Sequence, residues 1–254
     1  MNRPSRSSDW RLFAFLLALG LLGLISLIPY ALATSGTETR DLPLPLGVLV
    51  VLQLIQGTVL LAAAIGIGMR AGRALGLGAP ILKGWLNGER VGSHLKAALP
   101  ASVGGGILIG LVILFLDSFI FAPQIAALAP GMKTLVWQRL LASLYGGITE
   151  ELLMRLGLFS AVAWLLSKLF GSGSRLGIFI ATNIIVSFFF GLGHLPATAA
   201  IMPLTTIVVV RILVLNGLGS LLFGYLYWSK GLEAAMLCHF VADILLAAGS
   251  IASL

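Results

Sequence analysis

Residues 140–169 read LLASLYGGITEELLMRLGLFSAVAWLLSKL. Apart from Glu150, Glu151, Arg155 and Lys168, this run is uncharged. It is long enough to cross a bilayer, which takes about 20 residues as a helix. Ionised groups in such a setting are costly unless they face protein or water, so they mark a functional site by default. Glu151 and Arg155 stand four apart and share one helix face, where they can pair. Glu150 is turned from them by one residue step, about 100°, and is free to face a cavity. The plainer alternative is an ion pair that only fixes helix packing. It leaves Glu150 without a partner in the local sequence; burial and the adjacent like charge poise one Glu towards neutrality, which is what a general base needs.

Six further apolar runs flank this one: Leu12–Ala33, Leu42–Met69, Ala97–Ala122, Leu176–Leu195, Pro203–Trp228 and Leu232–Ser250. Seven crossings follow, with an eighth helix expected either between Arg70 and Lys96 or before Gly146-Gly147. The fold class is therefore all-α, a polytopic transmembrane bundle of seven or eight helices forming a single membrane domain over residues 1–254. Composition agrees: 59% of residues are hydrophobic and 10% charged, against about 25% charged in soluble domains. Mean hydropathy is +1.06. The net charge of +7 belongs to short segments between the runs, not to a basic domain of the kind nucleic-acid binding needs. The single cysteine, Cys238, excludes an internal disulfide framework and reads as core filler.

The first run follows Arg3, Arg6 and Arg11 and ends at Ala31-Leu32-Ala33, which imitates a signal peptide. It is too long for a typical h-region and reads as an uncleaved helix. Counting Lys and Arg then orients the chain. Arg3, Arg6, Arg11, Arg70, Arg73, Lys83, Arg90, Lys96, Lys168, Arg175 and Lys230 fall on one side, against Arg40, Lys133 and Arg139 on the other. The positive-inside rule makes the N-terminus cytoplasmic and the protein a multi-pass cell-membrane protein. The segment Arg70–Lys96 reads either as a strip on the inner membrane surface or as a connecting loop. Gly104-Gly105-Gly106 and Gly110 invite close helix approach.

Later runs carry more ionisable groups. His194 ends the segment Phe190-Gly-Leu-Gly-His194, beside Gly191 and Gly193, which leave backbone room for a substrate. His239 and Asp243 stand four apart and project from one face. Asp243 either fixes the tautomer of His239 or shares a ligand role with it. Two histidines and two or three carboxylates suit Zn²⁺, with Glu150, His194 and His239 as the ligand set. They equally suit a metal-free water activated by glutamate. Depth is a difficulty: as simple spans, His194 and His239 differ by roughly 15 Å at 1.5 Å per residue. The fifth helix must tilt or continue past Pro196 for the groups to meet. Asp117 and Arg211 form a candidate pair, and Asn183 and Asn216 are candidate links between helices.

In order, E-E-x-x-x-R (Glu150 to Arg155), F-x-x-x-H (Phe190 to His194) and H-x-x-x-D (His239 to Asp243) resemble the CPBP family. These are the CAAX-prenyl-type and bacteriocin-processing (Abi) intramembrane endopeptidases. The resemblance covers about Tyr145 to Ala247, within a catalytic core over residues 140–250. It implies that Glu150 activates water with His194 close by, that His239 and Asp243 complete the site, and that Glu151 and Arg155 belong to it. The family often has Asn where this chain has Asp243. An ionised Asp cannot donate to an oxyanion, which leaves an oxyanion role or an orienting role for it. The implied substrate is a peptide or a membrane-anchored protein tail presented from the lipid bilayer. Two rivals share the residues: a proton-coupled transporter and a non-catalytic scaffold or immunity protein.

Overall fold

The computed structural model describes residues 6–34, 44–128, 134–171 and 174–249. Among these residues the chain is helical throughout its elements. The helices are α1 (Arg6–Thr34), α2 (Leu46–Leu75), α3 (Pro80–Leu86), α4 (Gly92–Ile125), α5 (Val136–Phe170), α6 (Arg175–Ala199), α7 (Thr206–Lys230) and α8 (Leu232–Gly249). All but α3 are long and apolar enough to cross a membrane, giving seven spans. Each corresponds to one of the seven apolar runs. The chain is a multi-pass membrane protein. Arg3, Arg40 and Lys133, which enter the orientation count, lie outside the described residues.

The outer surface explains the composition. Val51, Ile55 and Val59 on α2, Leu108 and Phe115 on α4, and Ile184 and Phe188 on α6 are all exposed. In water such a surface would associate; against lipid tails it is the expected exterior, because every helical backbone group is satisfied internally.

Helix α5 sits at the centre, packed against α1, α2, α6, α7 and α8. It is not a plain α-helix. Over Tyr145–Glu150 and Leu152–Phe159 it is wound as π-helix, a rare form found frequently at functional sites. Helix α1 lies along this stretch, and Thr149 Oγ1 donates to the Gly20 carbonyl at 3.0 Å. The small residues of α4 work as the sequence suggests. A side chain at Gly106 would strike the Cys238 carbonyl and Val241, and one at Gly110 would crowd Leu245. This close approach makes α4–α8, together with α2–α5, one of the two most extensive helix pairs. Gly104, by contrast, faces open space. Cys238 is a free, buried thiol in that packing.

The segment between Arg70 and Lys96 contains the eighth helix. Short α3 packs on α1, α4 and α8, and Glu233 Oε1 of α8 accepts from the Leu82 amide at 2.7 Å. This segment is therefore tied into the bundle while Trp85 remains exposed. Helices α7 and α8 are joined by Gly231 alone, at φ 105°, a conformation that favours glycine. A side chain there would also collide with Pro80. The Leu232 amide then donates to the Gly78 carbonyl at 2.9 Å. Helix α8 thus starts inside the protein, with Leu232 fully buried, whereas α6 starts among exposed residues such as Leu176.

Helix α6 does continue past Pro196: after His194 the chain resumes as a helical turn over Leu195–Ala199, with Pro196 in its first turn.

Candidate active site

Three helices bring five ionisable side chains to one place. Glu150 and Glu151 come from the π-wound stretch of α5, His194 from the junction in α6, and His239 and Asp243 from α8. His194 Nε2 lies 3.9 Å from Glu150 Oε1. His239 Nε2 lies 3.9 Å from Glu150 Oε2 and 3.6 Å from Asp243 Oδ2. Glu150 is therefore flanked by both imidazoles, at separations that a single water can bridge. Burial is graded across the cluster. The Glu151 side chain is fully enclosed, Glu150 is 18% exposed, and His194 is 33% exposed. The group opens outward through His194, Glu150 and Asp243, and is closed behind by Glu151.

Both imidazoles are held through Nδ1. His194 Nδ1 is 2.8 Å from the Phe190 carbonyl. A carbonyl only accepts, so Nδ1 carries the proton and Nε2 is directed at Glu150. His239 Nδ1 is 2.8 Å from Glu151 Oε1, so the same tautomer follows for an ionised Glu151. The contact that orients His239 is made by Glu151 of α5, while Asp243 stands on the Nε2 side. Asp243 thus borders the open part of the cluster.

Glu151 is anchored in turn. Arg155 Nη1 lies 3.1 Å from Glu151 Oε1, with both side chains fully buried. Arg155 Nη2 donates to the Ser220 carbonyl at 3.1 Å and to Ser220 Oγ at 2.8 Å. Its guanidinium lies 5.0 Å from the Phe190 ring centre and 5.4 Å from that of Phe223, within cation–π range. Phe223 also stacks on His239, with centroids 4.3 Å apart and planes 19° apart. Phe190 meets His194 edge-on at 4.7 Å. The result is a continuous line of support, Ser220–Arg155–Glu151–His239, framed by two aromatic rings.

Several of these supports are not visible in the sequence motifs. Ser220 and Phe223 lie on α7, which carries none of the three motifs. Ser220 gives a faint signal as a hydroxyl in an apolar run; Phe223 gives none among 13 phenylalanines. Gly146 and Gly147 belong to the site as well. A side chain at Gly146 would overlap the Asp243 carboxylate and come to 3.2 Å from His239 Nε2, and one at Gly147 would meet Phe240. The paired glycines let α8 approach the π-wound backbone closely. The two glycines before His194 differ from each other. Gly191 is pressed against Leu213 of α7, so its smallness serves helix packing, while Gly193 has open space beside it.

Other polar residues resolve separately. Asp117 and Arg211 form a two-point ion pair, at 2.6 and 2.7 Å, between α4 and α7. Asn183 Nδ2 donates across to the Leu221 carbonyl of α7 at 2.9 Å. Asn216 bonds back to Ile212 of its own helix.

Zn²⁺ fits this cluster by donor type. Ligating histidines commonly donate their second ring N–H to a carbonyl or carboxylate, as His194 and His239 do here. In a tetrahedral site with bonds of about 2.0–2.1 Å, ligand atoms stand roughly 3.4 Å apart, so the 3.9 Å spacings around Glu150 are wider than a closed site. Among the described residues no group of three or more His, Cys, Asp or Glu is drawn together at metal-ligand spacing.

Residues 132–245 match the family model described as type II CAAX prenyl endopeptidase Rce1-like. Neither the curated proteins nor the solved structures contain a match to the chain. The matched segment contains all three motifs, the π-wound stretch of α5 and both supporting residues of α7. Residues 132–245 belong to the CPBP family of CAAX-type intramembrane proteases.

Proposed function

We propose that the chain is an intramembrane endopeptidase in which Glu150 activates water for attack on a peptide bond. The observation that carries this reading is the 3.9 Å approach of both His194 Nε2 and His239 Nε2 to the Glu150 carboxylate. A water between these groups donates one proton to Glu150, and its oxygen attacks the scissile carbonyl. Charge develops on the carbonyl oxygen, where Nε2 of His194 or His239, when it carries a proton in addition to that on Nδ1, supplies a donor. Glu150 then returns its proton to the leaving amine, which balances the hydrolysis. Arg155 and Glu151 hold His239 in orientation. Asp243 borders the open side of the cluster as an acceptor.

Bound Zn²⁺ would be held by Glu150, His194 and His239, and would supply a Lewis acid for the carbonyl and a more acidic water. The roles of the surrounding residues are the same in that case. His239 is still oriented by Glu151, and His194 by the Phe190 carbonyl.

Substrates are peptides or membrane-anchored protein tails that reach a polar cavity from the bilayer. Prenylated tails and bacteriocin or leader peptides are the two classes the family resemblance offers. The family match favours hydrolysis over the transporter and scaffold readings. The N-terminus is assigned to the cytoplasm by the Lys/Arg asymmetry, with the Arg73 end of the bundle on the same side.

The test is a comparison of membrane peptides and protein termini in cells expressing the wild-type chain or Glu150→Gln. The proposal predicts uncut precursors, and loss of the matching cleaved termini, in the variant. Identical terminal profiles in the two strains would remove it.

A further inference from the structure

A second hollow lies away from the catalytic cluster, at the end of the bundle where the basic residues gather. It is a cavity of about 420 Å³ between α1, α2, the 76–80 loop, α3 and α7, within the usual size range of small-molecule sites. Its rim carries Arg73, Lys83, His94 and Lys230, with Asp9 as its acid. Asp9 is already engaged, since its carboxylate pairs with Arg73 across α1 and α2. Glu233, nearby in sequence, is turned to the Leu82 amide. Among the described residues neither Lys83 nor Lys230 has a carboxylate partner. Deeper in, the wall turns apolar, with Leu12, Leu16 and Leu156.

A second, shallower hollow adjoins the first and shares Asp9, Met69 and Arg73 with it. It is lined by Trp10, Phe13 and Gly66, with Arg70 at its edge. Trp10 and Phe13 stack at 5.3 Å and form its aromatic side. The pair of hollows is thus cationic at one point and apolar on either side of it. The cationic point sits at the ends of membrane spans, where headgroups are expected beside a hydrocarbon core about 30 Å thick. A free inorganic anion would use only the lysines and leave the apolar walls uncovered.

We propose that this paired hollow binds a phosphate-bearing anion, the headgroup of an anionic phospholipid, between Lys83 and Lys230, with an acyl chain laid along the Trp10–Phe13 hollow. Basic pockets between membrane helices are a recurring way to hold such headgroups. The lipid would clamp α1, α3 and α7 together at the end of the bundle opposite His194. The site is independent of the catalytic reading, because it shares no residue with the Glu150 cluster.

The test uses the full chain purified in an uncharged detergent. Binding of phosphatidylglycerol, phosphatidylcholine and inorganic phosphate is measured by native mass spectrometry and by the rise in melting temperature. Phosphatidylglycerol is expected to bind and stabilise; the zwitterionic lipid and free phosphate are not. Lys83→Gln with Lys230→Gln should weaken phosphatidylglycerol binding about 30-fold, from about 1 kcal/mol per basic residue. The double Arg replacement at the same positions keeps the charge and should keep the binding. Arg90→Gln with Lys96→Gln removes equal charge outside the cavity and should leave binding unchanged. Equal binding of phosphatidylcholine, or an equal loss in the Arg90/Lys96 variant, would overturn the site. Stabilisation by inorganic phosphate matching that by phosphatidylglycerol would overturn its assignment to a lipid.

Discussion

Replacing Arg155 by Met tests the support behind the catalytic cluster in quantitative terms. The guanidinium is fully buried and is the cation paired with Glu151, at 3.1 Å. Methionine fills similar space but supplies no charge, so Glu151 is left as an enclosed carboxylate without its guanidinium, holding only the His239 Nδ1 contact. Removing one partner of a buried ion pair typically costs about 3–5 kcal/mol. At about 2–4 °C per kcal/mol for a chain of this size, the melting temperature should fall by roughly 6–20 °C. The chain supplies its own probe: Cys238 is the single cysteine and is buried, so a thiol-reactive dye reports unfolding in detergent. The double variant Glu151→Gln with Arg155→Met removes both charges and keeps an acceptor for His239. It should recover at least half of the lost stability, because the orphan charge is gone. A single Arg155→Met variant that melts with the wild type would refute the reasoning. So would a double variant as unstable as the two single changes added together.

Three further outcomes are expected, two from the same geometry and one from the charge asymmetry. Gly146→Ala drives a methyl group into Asp243 and against His239, and displacement of a reacting group by about 1 Å costs roughly 100-fold in rate. Peptide-bond hydrolysis should drop by about that factor while the protein still inserts, and unchanged turnover would show that the close approach is not needed. Phe223→Ala removes the ring stacked on His239 and lying under Arg155. Its effect should appear mainly in kcat, with KM little changed, and a rise in KM alone would assign Phe223 to substrate binding instead. A reporter fused after Arg40 should behave as external to the cytoplasm, as the Lys/Arg asymmetry requires; a cytoplasmic signal would reverse the orientation.

Much of the architecture is legible in the sequence because a bilayer leaves few choices. A span must be a run of apolar residues, and seven such runs coincide with seven helices long enough to cross. The ionisable residues inside them stand out for the same reason, and energetic pressure to share one polar interior explains why Glu150, His194 and His239 meet. The details that escape the sequence depend on backbone geometry. Nothing in the letters Tyr145–Phe159 announces a π-wound helix. The partner of His239 Nδ1 was equally hidden: Asp243 lies four residues away on the same helix, but Glu151 is 88 residues distant and is aimed by Arg155. The expected depth offset between the histidines does not keep them apart: both reach Glu150 within 3.9 Å, and α6 continues past Pro196 as the sequence required. Ser220 and Phe223 are ordinary membrane-helix residues until α7 brings them beside Arg155.

The central claim is that Glu150 is the base that activates water. Its most direct test is the hydrolysis rate of purified wild type and Glu150→Gln, on a peptide that accumulates in cells carrying the variant. Glutamine keeps the shape and the hydrogen-bonding capacity but cannot take up the proton. The account predicts a loss of about 10²–10⁴-fold in rate, with a melting temperature at or near that of the wild type. Cleavage by Glu150→Gln at a rate close to that of the wild type would contradict it.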